Sequence, residues 1–234
     1  MIARFEELDW QPTPMGDLTL RRRFEPAVAH DVYEVKLGDE YLMSSLFTVA
    51  EEALATLGLA ATTGERLTVL VGGLGLGYTA VAALRDPRVG SLTVIDALPA
   101  VIGWHERTLL PVSAELVGDS RTTLTLDDFF AVVRRAPEGS RYDAILLDVD
   151  HSPRHQLDPS HADLYTTAGL RSLARHLVDG GIFALWSDDP PDAAFQADLE
   201  SVFVDTAAHV VDFDNPLTGG VSSNTVYIGR RPTA

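Results

Sequence analysis

The fold turns on one stretch: Leu67-Thr68-Val69-Leu70-Val71, then Gly72-Gly73-Leu74-Gly75-Leu76-Gly77, then Tyr78 to Leu84, then Ser91-Leu92-Thr93-Val94-Ile95 closed by Asp96. A short β-branched apolar run is what a strand buried on both faces needs, and the glycines stop it in a turn. Helix-compatible residues follow up to Asp86-Pro87, and the second apolar run is another strand. This is half of a nucleotide-binding βαβ unit. Glycine suits the turn because the backbone must bend off the strand and admit a ligand where a Cβ would intrude.

The spacing narrows the ligand. Gly73, Gly75 and Gly77 alternate as G-x-G-x-G, and Tyr78 stands where a dinucleotide fingerprint requires its third glycine. The carboxylate of Asp96, beside Ala97 and about 20 residues beyond the glycines, is spaced to bind a ribose diol. An adenosyl ligand without phosphates satisfies both facts. The alternative is a tight turn in an α/β domain with no ligand.

Working outward, residues 1–45 alternate extended runs (Leu18 to Phe24, Val32 to Leu37) with turn signals at Pro14-Met15-Gly16-Asp17 and Gly38-Asp39, predicting a small antiparallel sheet. The Arg21 to Arg23 run reads as a solvated strand face, or else as an anion or partner contact. Ser44-Ser45 should cap a helix carrying Leu46, Val49, Ala50, Ala53, Leu54 and Leu57, stopped by Gly58. Beyond the glycine turn, a helix is expected over Pro99 to Leu110 and a third strand over Thr122 to Leu126. A fourth strand runs from Asp143 to Asp148, a helix from Ala162 to Leu177 capped by Asp179-Gly180-Gly181, and a fifth strand from Ile182 to Trp186. Ala208 to Phe213 and Thr225 to Gly229 close the chain, joined by an Asn215 to Asn224 loop that reads as a lid or an ordinary surface loop. Alternating strands and helices imply a mostly parallel sheet covered on both faces.

Ligands collect at the carboxyl edge of such sheets. Four successive strands here end on Gly72-Gly73, Asp96, Asp127-Asp128 and Asp148. A buried strand gains nothing from a terminal acid unless a cap, a cation or a ligand hydroxyl or amine answers it.

Composition sets the outer bounds. A chain of 234 residues, 46% hydrophobic, is long enough for one large domain or a domain with a small appendage. The absence of cysteine excludes disulfides, thiolate nucleophiles and Cys-ligated zinc. No run has the length of a membrane span and Met1 to Glu7 lacks a signal-peptide core, so a cytoplasmic protein is expected, with no membrane partner. A formal charge of −16, from 34 acids against 18 bases, repels phosphate backbones, argues against a nucleic-acid partner and favours a cationic or neutral small-molecule acceptor.

Val69 to Gly77, Asp96, Asp128 and Asp143 to Asp148 together resemble the class I S-adenosylmethionine-dependent methyltransferase domain and, more narrowly, its polyamine aminopropyltransferase relatives, the spermidine synthases. The likeness runs through roughly residues 15–230 and includes Asp119-Ser120-Arg121, Tyr142 and Leu164-Tyr165-Thr166. It implies an α/β, Rossmann-like sheet of about seven strands with the last antiparallel (46–234) behind an N-terminal β segment (1–45). It also implies S-adenosylmethionine or its decarboxylated form as co-substrate, Asp96 on the ribose, and Asp128, with Asp127 as fallback, on the adenine amino group. The chain departs from the family in three places. Leu76 stands where the glycine motif carries an acid. Asp148-Val149-Asp150-His151-Ser152-Pro153 changes the spacing of the catalytic aspartates. Phe47-Thr48-Val49-Ala50-Glu51-Glu52 does not supply the Tyr-His-Glu stretch of the amine pocket.

Displacement at a sulfonium needs alignment and, for an amine nucleophile, removal of its proton. Asp148 is the expected general base or amine-orienting group and Asp150 the second choice, with capping or water binding the alternative for an Asp in a turn. His151, His155 and His161 with Asp148 and Asp150 could form a metal cluster, but Pro153 interrupts the only i, i+4 pair, so solvated histidines or a His151 proton relay are expected and no metal. Trp186 walls the acceptor pocket or fills the core. The functional expectation is a spermidine-synthase-like alkyl transferase. A methyltransferase with another small acceptor and a noncatalytic nucleoside-binding scaffold remain open, as does assembly as a homodimer.

Overall fold

The structure, a computed structural model, describes residues 5–13, 16–139 and 141–233. Four antiparallel strands come first: β1 (Phe5–Thr13), β2 (Gly16–Glu25), β3 (His30–Leu37) and β4 (Glu40–Ser44), paired in chain order. Then follow α1 (Val49–Ala60), β5 (Leu67–Gly72), α2 (Tyr78–Leu84), β6 (Val89–Asp96), α3 (Pro99–Glu106), α4 (Ser113–Gly118), β7 (Thr122–Leu126), α5 (Phe129–Arg134) and β8 (Tyr142–Leu147). After the 3₁₀ turn Pro159–His161 come α6 (Thr167–Ala174), β9 (Leu177–Ser187), α7 (Ala193–Glu200), β10 (Val204–Asn215) and β11 (Gly220–Arg230).

The second sheet has seven strands in the order β10-β11-β9-β8-β5-β6-β7. β5 through β9 are parallel, and β11 is antiparallel to both β9 and β10. Alternation along β5 shows how the sequence builds three layers: Val69 and Val71 face one side, Leu70 the other. On the first side Val94, Leu146 and Ala184 pack with Leu54 and Leu59 of α1, Val81 of α2 and Trp104 of α3. On the second, Ile95, Ile145, Leu147 and Phe183 pack with Phe129 of α5, Leu170 of α6 and Phe195 of α7. Leu18, Leu20 and Val35 of the N-terminal sheet join the first cluster, and Asp9 accepts from Trp104 Nε1 (2.6 Å) and Arg107 (2.6 Å). No helix among the described residues is long and apolar enough to cross a membrane.

Several local expectations need correction. The first helix is capped at Thr48, while Ser44 ends β4, and Gly58 lies inside the helix. A Cβ there would approach Leu146 Cδ2 to 2.7 Å, so the residue is glycine for close helix-sheet contact rather than for termination. The helix expected from Ala162 begins only at Thr167, because Thr166 accepts from Gly169 N as its cap, and Asp179-Gly180-Gly181 lie within β9. The Arg21 to Arg23 run is an ion-paired face: Arg21 and Arg23 share Glu34 (2.7 and 2.8 Å) and Arg22 meets Glu6 (2.5 Å). The Asn215 to Asn224 segment is a hairpin, since β10 runs to Asn215 and β11 resumes at Gly220. Pro14-Met15 of the first turn signal, and Met1 to Arg4, lie outside the described residues.

Candidate functional site

The chain crosses from β7, on one side of β5, to β8 on the other, so loops diverge at the carboxyl ends of β5 and β8 and leave a crevice. Gly73, Gly75 and Gly77 all have left-handed backbone (φ +89°, +47° and +90°), which glycine adopts without a Cβ penalty. Two groups fix the loop from outside. Asp96 accepts from Leu74 N (2.9 Å) and Leu98 N (2.8 Å), tying the turn to the end of β6. His105, fully buried, has Nε2 3.0 Å from the Gly75 carbonyl, which only an N–H can satisfy, so Nδ1 accepts from Ser113 Oγ (3.1 Å). Burial lowers the His105 pKa, which favours this neutral ring. Burial also raises the pKa of Asp96, against the N–H groups that stabilise its charge.

Two cavities open along this rim and share Leu42, Met43, Gly75, Asp148 and Val149 as walls. The smaller, about 290 Å³, is lined by Gly73, Asp96, Ala97, Asp128, Phe129, Phe130 and His161 among others. The larger, about 470 Å³, is lined by Glu51, Tyr78, Asp148, His151, Trp186, Asp188, Phe213 and Asn224 among others. Among the described residues, neither lining contains a lysine or an arginine.

Carboxylates crowd the larger cavity. Asp148 accepts from Thr79 Oγ1 (2.6 Å), and burial pushes its pKa up to about 6. Glu51 is pushed up to about 8, first by burial and then by the charges of Asp148, Glu52 and Asp188. Asp188 accepts from Asn224 Nδ2 (2.7 Å), joining β11 to the rim. Three acids facing one another without a fixed cation form a site complementary to an ammonium.

The structure gathers most, but not all, of the residues singled out from sequence. Gly73, Gly75, Asp96, Ala97, Asp128, Asp148, His151 and Trp186 line one or both cavities, and Gly77 lines the larger. Asp128 also caps α5 through Phe130 N (2.8 Å). Asp127 lines neither; it accepts from Asp128 N (2.8 Å) and pairs with Arg135 (3.3 Å). Asp150 is turned away as well. It is 2% exposed and accepts from Leu157 N (2.8 Å), His161 Nδ1 (2.8 Å) and Tyr165 OH (2.7 Å), so it staples the β8–α6 loop. His161 stacks on Phe130, with centroids 3.6 Å apart, and His155 bonds Asp189 (2.9 Å). Trp186 Nε1 is buried without a hydrogen-bond partner.

Sequence reading missed Glu51. Phe47 to Glu52 lacks the Tyr-His-Glu stretch as a block, yet the first turn of α1 still carries a carboxyl to the cavity wall. The available signal is an acid in the first turn of an apolar helix, a place the helix dipole favours for any acid. Nothing local marks Met43 or Thr79, whereas Asp188, the residue after β9, is one more acid at the carboxyl end of a strand.

No family model matches the chain. In sequence it is similar to a polyamine aminopropyltransferase of Mycobacterium tuberculosis, 29% identical over 182 residues, which cover 71% of this chain and 34% of that protein. It is also similar to a putrescine N-methyltransferase of Nicotiana tabacum, 28% identical over 131 residues, 56% of this chain and 33% of that protein. The chain thus spans about a third of the length of these curated relatives. In structure it matches a spermidine synthase in complex with the transition-state analogue AdoDATO, with a TM-score of 0.73 and 15% identity, over 97% of this chain and 73% of that one. The fold is therefore that of the spermidine synthases, α/β and Rossmann-like with an antiparallel sheet at the N-terminus, and the chain is a spermidine-synthase-like protein of the class I methyltransferase fold.

Proposed function

We propose that this protein transfers an aminopropyl group from decarboxylated S-adenosylmethionine to a small amine. The observation that carries the reading is the shared wall: a nucleoside-sized cavity and an acid-lined one meet at Asp148. In this reading the smaller cavity takes the nucleoside, with Asp96 and Ala97 at the ribose, Asp128 at the adenine amino group, and Gly73, Gly75 and Gly77 letting the backbone approach. The sulfonium then lies at the seam, beside Met43, Gly75 and Asp148. The acceptor amine occupies the larger cavity, among Glu51, Asp188, His151 and Trp186. Asp127 and Asp150 have no part in the chemistry.

The choice of donor follows from charge. The α-carboxylate of S-adenosylmethionine would enter a lining that, among the described residues, has no lysine or arginine and has the acids Glu51, Asp148 and Asp188, where an unpaired anion is strongly disfavoured. The decarboxylated form ends in an ammonium, which those acids attract. The amine lone pair attacks the methylene carbon next to the sulfonium, and the C–N bond forms as the C–S bond breaks. Asp148 takes the proton that the acceptor ammonium must lose for that lone pair to be free, and the electron pair of the broken C–S bond returns to sulfur, releasing neutral methylthioadenosine. A base with a pKa of about 6 is close to the working range for such a transfer. The cytoplasm, where small amines and adenosyl sulfoniums occur, is the setting this reading requires.

Mass spectrometry of reactions containing a diamine and either sulfonium tests this. An aminopropylated diamine formed only from the decarboxylated donor supports the reading. A methylated amine from S-adenosylmethionine replaces it with methyl transfer, the reaction named for the plant relative. No product from either donor, with nucleoside still bound, leaves a noncatalytic binder.

A further inference from the structure

Thr79 holds a position the proposed chemistry has not used. It is 3% exposed, in the first turn of α2, and its Oγ1 lies between two acceptors: Asp148 Oδ2 at 2.6 Å and the backbone carbonyl of Glu51 at 3.2 Å. A threonine hydroxyl has one hydrogen to give and lone pairs to receive. It cannot donate to both acceptors at once. Among the described residues it is also the only hydrogen-bond partner of the Asp148 carboxyl group.

We propose that Thr79 is a positioning residue for Asp148, whose hydroxyl hydrogen points at the Asp148 carboxylate when that group is charged and swings to the Glu51 carbonyl when it is protonated. In the first state Thr79 donates to Oδ2. In the second the carboxyl O–H donates to Thr79 Oγ1, and Thr79 donates onward to Glu51 O. Both states keep the hydrogen bond between Thr79 Oγ1 and Asp148 Oδ2, and only one O–H bond rotates. A carboxyl enclosed in this way can take up and release a proton without moving its heavy atoms, as a base on a rigid site must.

The surroundings make Thr79 the deciding group. Around the pair the larger cavity is lined by Glu51 on α1, Tyr78 on α2, His151 after β8 and Asp188 after β9, and the charge of Glu52 on α1 acts on Glu51. A charged Asp148 raises the pKa of Glu51, while burial opposes that charge and the Thr79 hydroxyl is the hydrogen-bond donor favouring it. Its rate consequences rest on Asp148 being the base of the proposed transfer; the hydrogen-bond link does not.

The test uses Thr79→Val, nearly isosteric but without the hydroxyl, and Thr79→Ser, which restores it. Carbon-13 NMR of aspartate-labelled protein, with the Asp148 signal identified by its loss in Asp148→Asn, follows the carboxyl titration directly. The valine variant should raise the Asp148 midpoint by about one pH unit, and serine should return it to the parent value. Thr79→Ala gives the same answer should the extra methyl of valine crowd Glu51. In turnover, the acidic limb of the kcat/KM profile should move by the same amount in the valine variant while affinity for methylthioadenosine stays unchanged. A valine variant that titrates like the parent, or a serine variant that fails to restore it, overturns the proposal. A shifted titration with an unshifted rate profile upholds the Thr79 link and removes Asp148 as the base.

Discussion

The backbone carbonyl oxygen of Asp148 lies 1.9 Å from the point that a Cβ on Gly73 would occupy. The first turn after β5 and the first turn after β8 are thus in direct backbone contact, and the proposed base is located by the loop that would carry the nucleoside. Gly73→Ala must both adopt φ +89° and push that carbonyl away. We expect a loss of at least about 2 kcal/mol in unfolding free energy, from left-handed strain plus the clash. Chemical denaturation measures it, and a near-wild-type midpoint would mean the two loops are not locked together.

Asp96 and Asp148 should separate binding from turnover. Asp96→Ala removes the acceptor for Leu74 N and Leu98 N as well as the proposed ribose contact. Nucleoside affinity should fall by about tenfold to a hundredfold, the range for a hydrogen bond to a charged group. Asp148→Asn should retain that affinity and lose turnover. Full turnover in the second variant takes Asp148 out of the mechanism.

Glu51 makes a prediction about stability and pH. Its pKa is raised from 4.5 to about 8 in the folded protein, so between those values the folded state binds more protons than the unfolded chain. Stability contributed by the protonated group is full below about 4.5 and is lost as pH rises toward 8. His105 and His176, both lowered from 6.5 by burial, act in the opposite sense below that value. The clean window is therefore pH 7 to 8.5, about the upper part of the Glu51 titration. Thermal midpoints of the ligand-free protein should fall across it, and Glu51→Gln should flatten the fall. An equal slope in both proteins would show that Glu51 ionises normally.

The Asp150 staple predicts a loop effect at a distance. Asp150→Asn keeps the volume but offers a donor to Leu157 N, His161 Nδ1 or Tyr165 OH, all of which point hydrogens at the carboxylate. We expect destabilisation of about 2–4 kcal/mol, as for other broken buried charge networks. Nucleoside affinity should weaken too, because Leu157 and His161 line the smaller cavity. Thermal unfolding and calorimetry with methylthioadenosine read the two effects. Normal stability would deny the staple.

What could be read from the chain was what is local. The β5 run, the glycine turn and the acids at Asp96 and Asp148 are visible because strand, turn and terminal acid are adjacent in sequence, and each needs a specific residue type. Gly58 misled for the same reason: a glycine at the end of an apolar helix reads as a stop, whereas its cause is Leu146, nearly 90 residues on. Asp150 was indistinguishable from Asp148 by spacing, and only its three partners, seven to fifteen residues later, separate a staple from a base. Glu51 enters the site through the packing of α1 on the sheet, which no window of sequence contains.

The most direct test of the two-cavity site is isothermal calorimetry comparing decarboxylated S-adenosylmethionine, S-adenosylmethionine and methylthioadenosine. We predict that all three bind through the nucleoside, with the decarboxylated sulfonium at least about tenfold tighter than its carboxylated parent, and that Glu51→Gln reduces the difference. Tighter binding of S-adenosylmethionine, or no binding of any of the three, would contradict it.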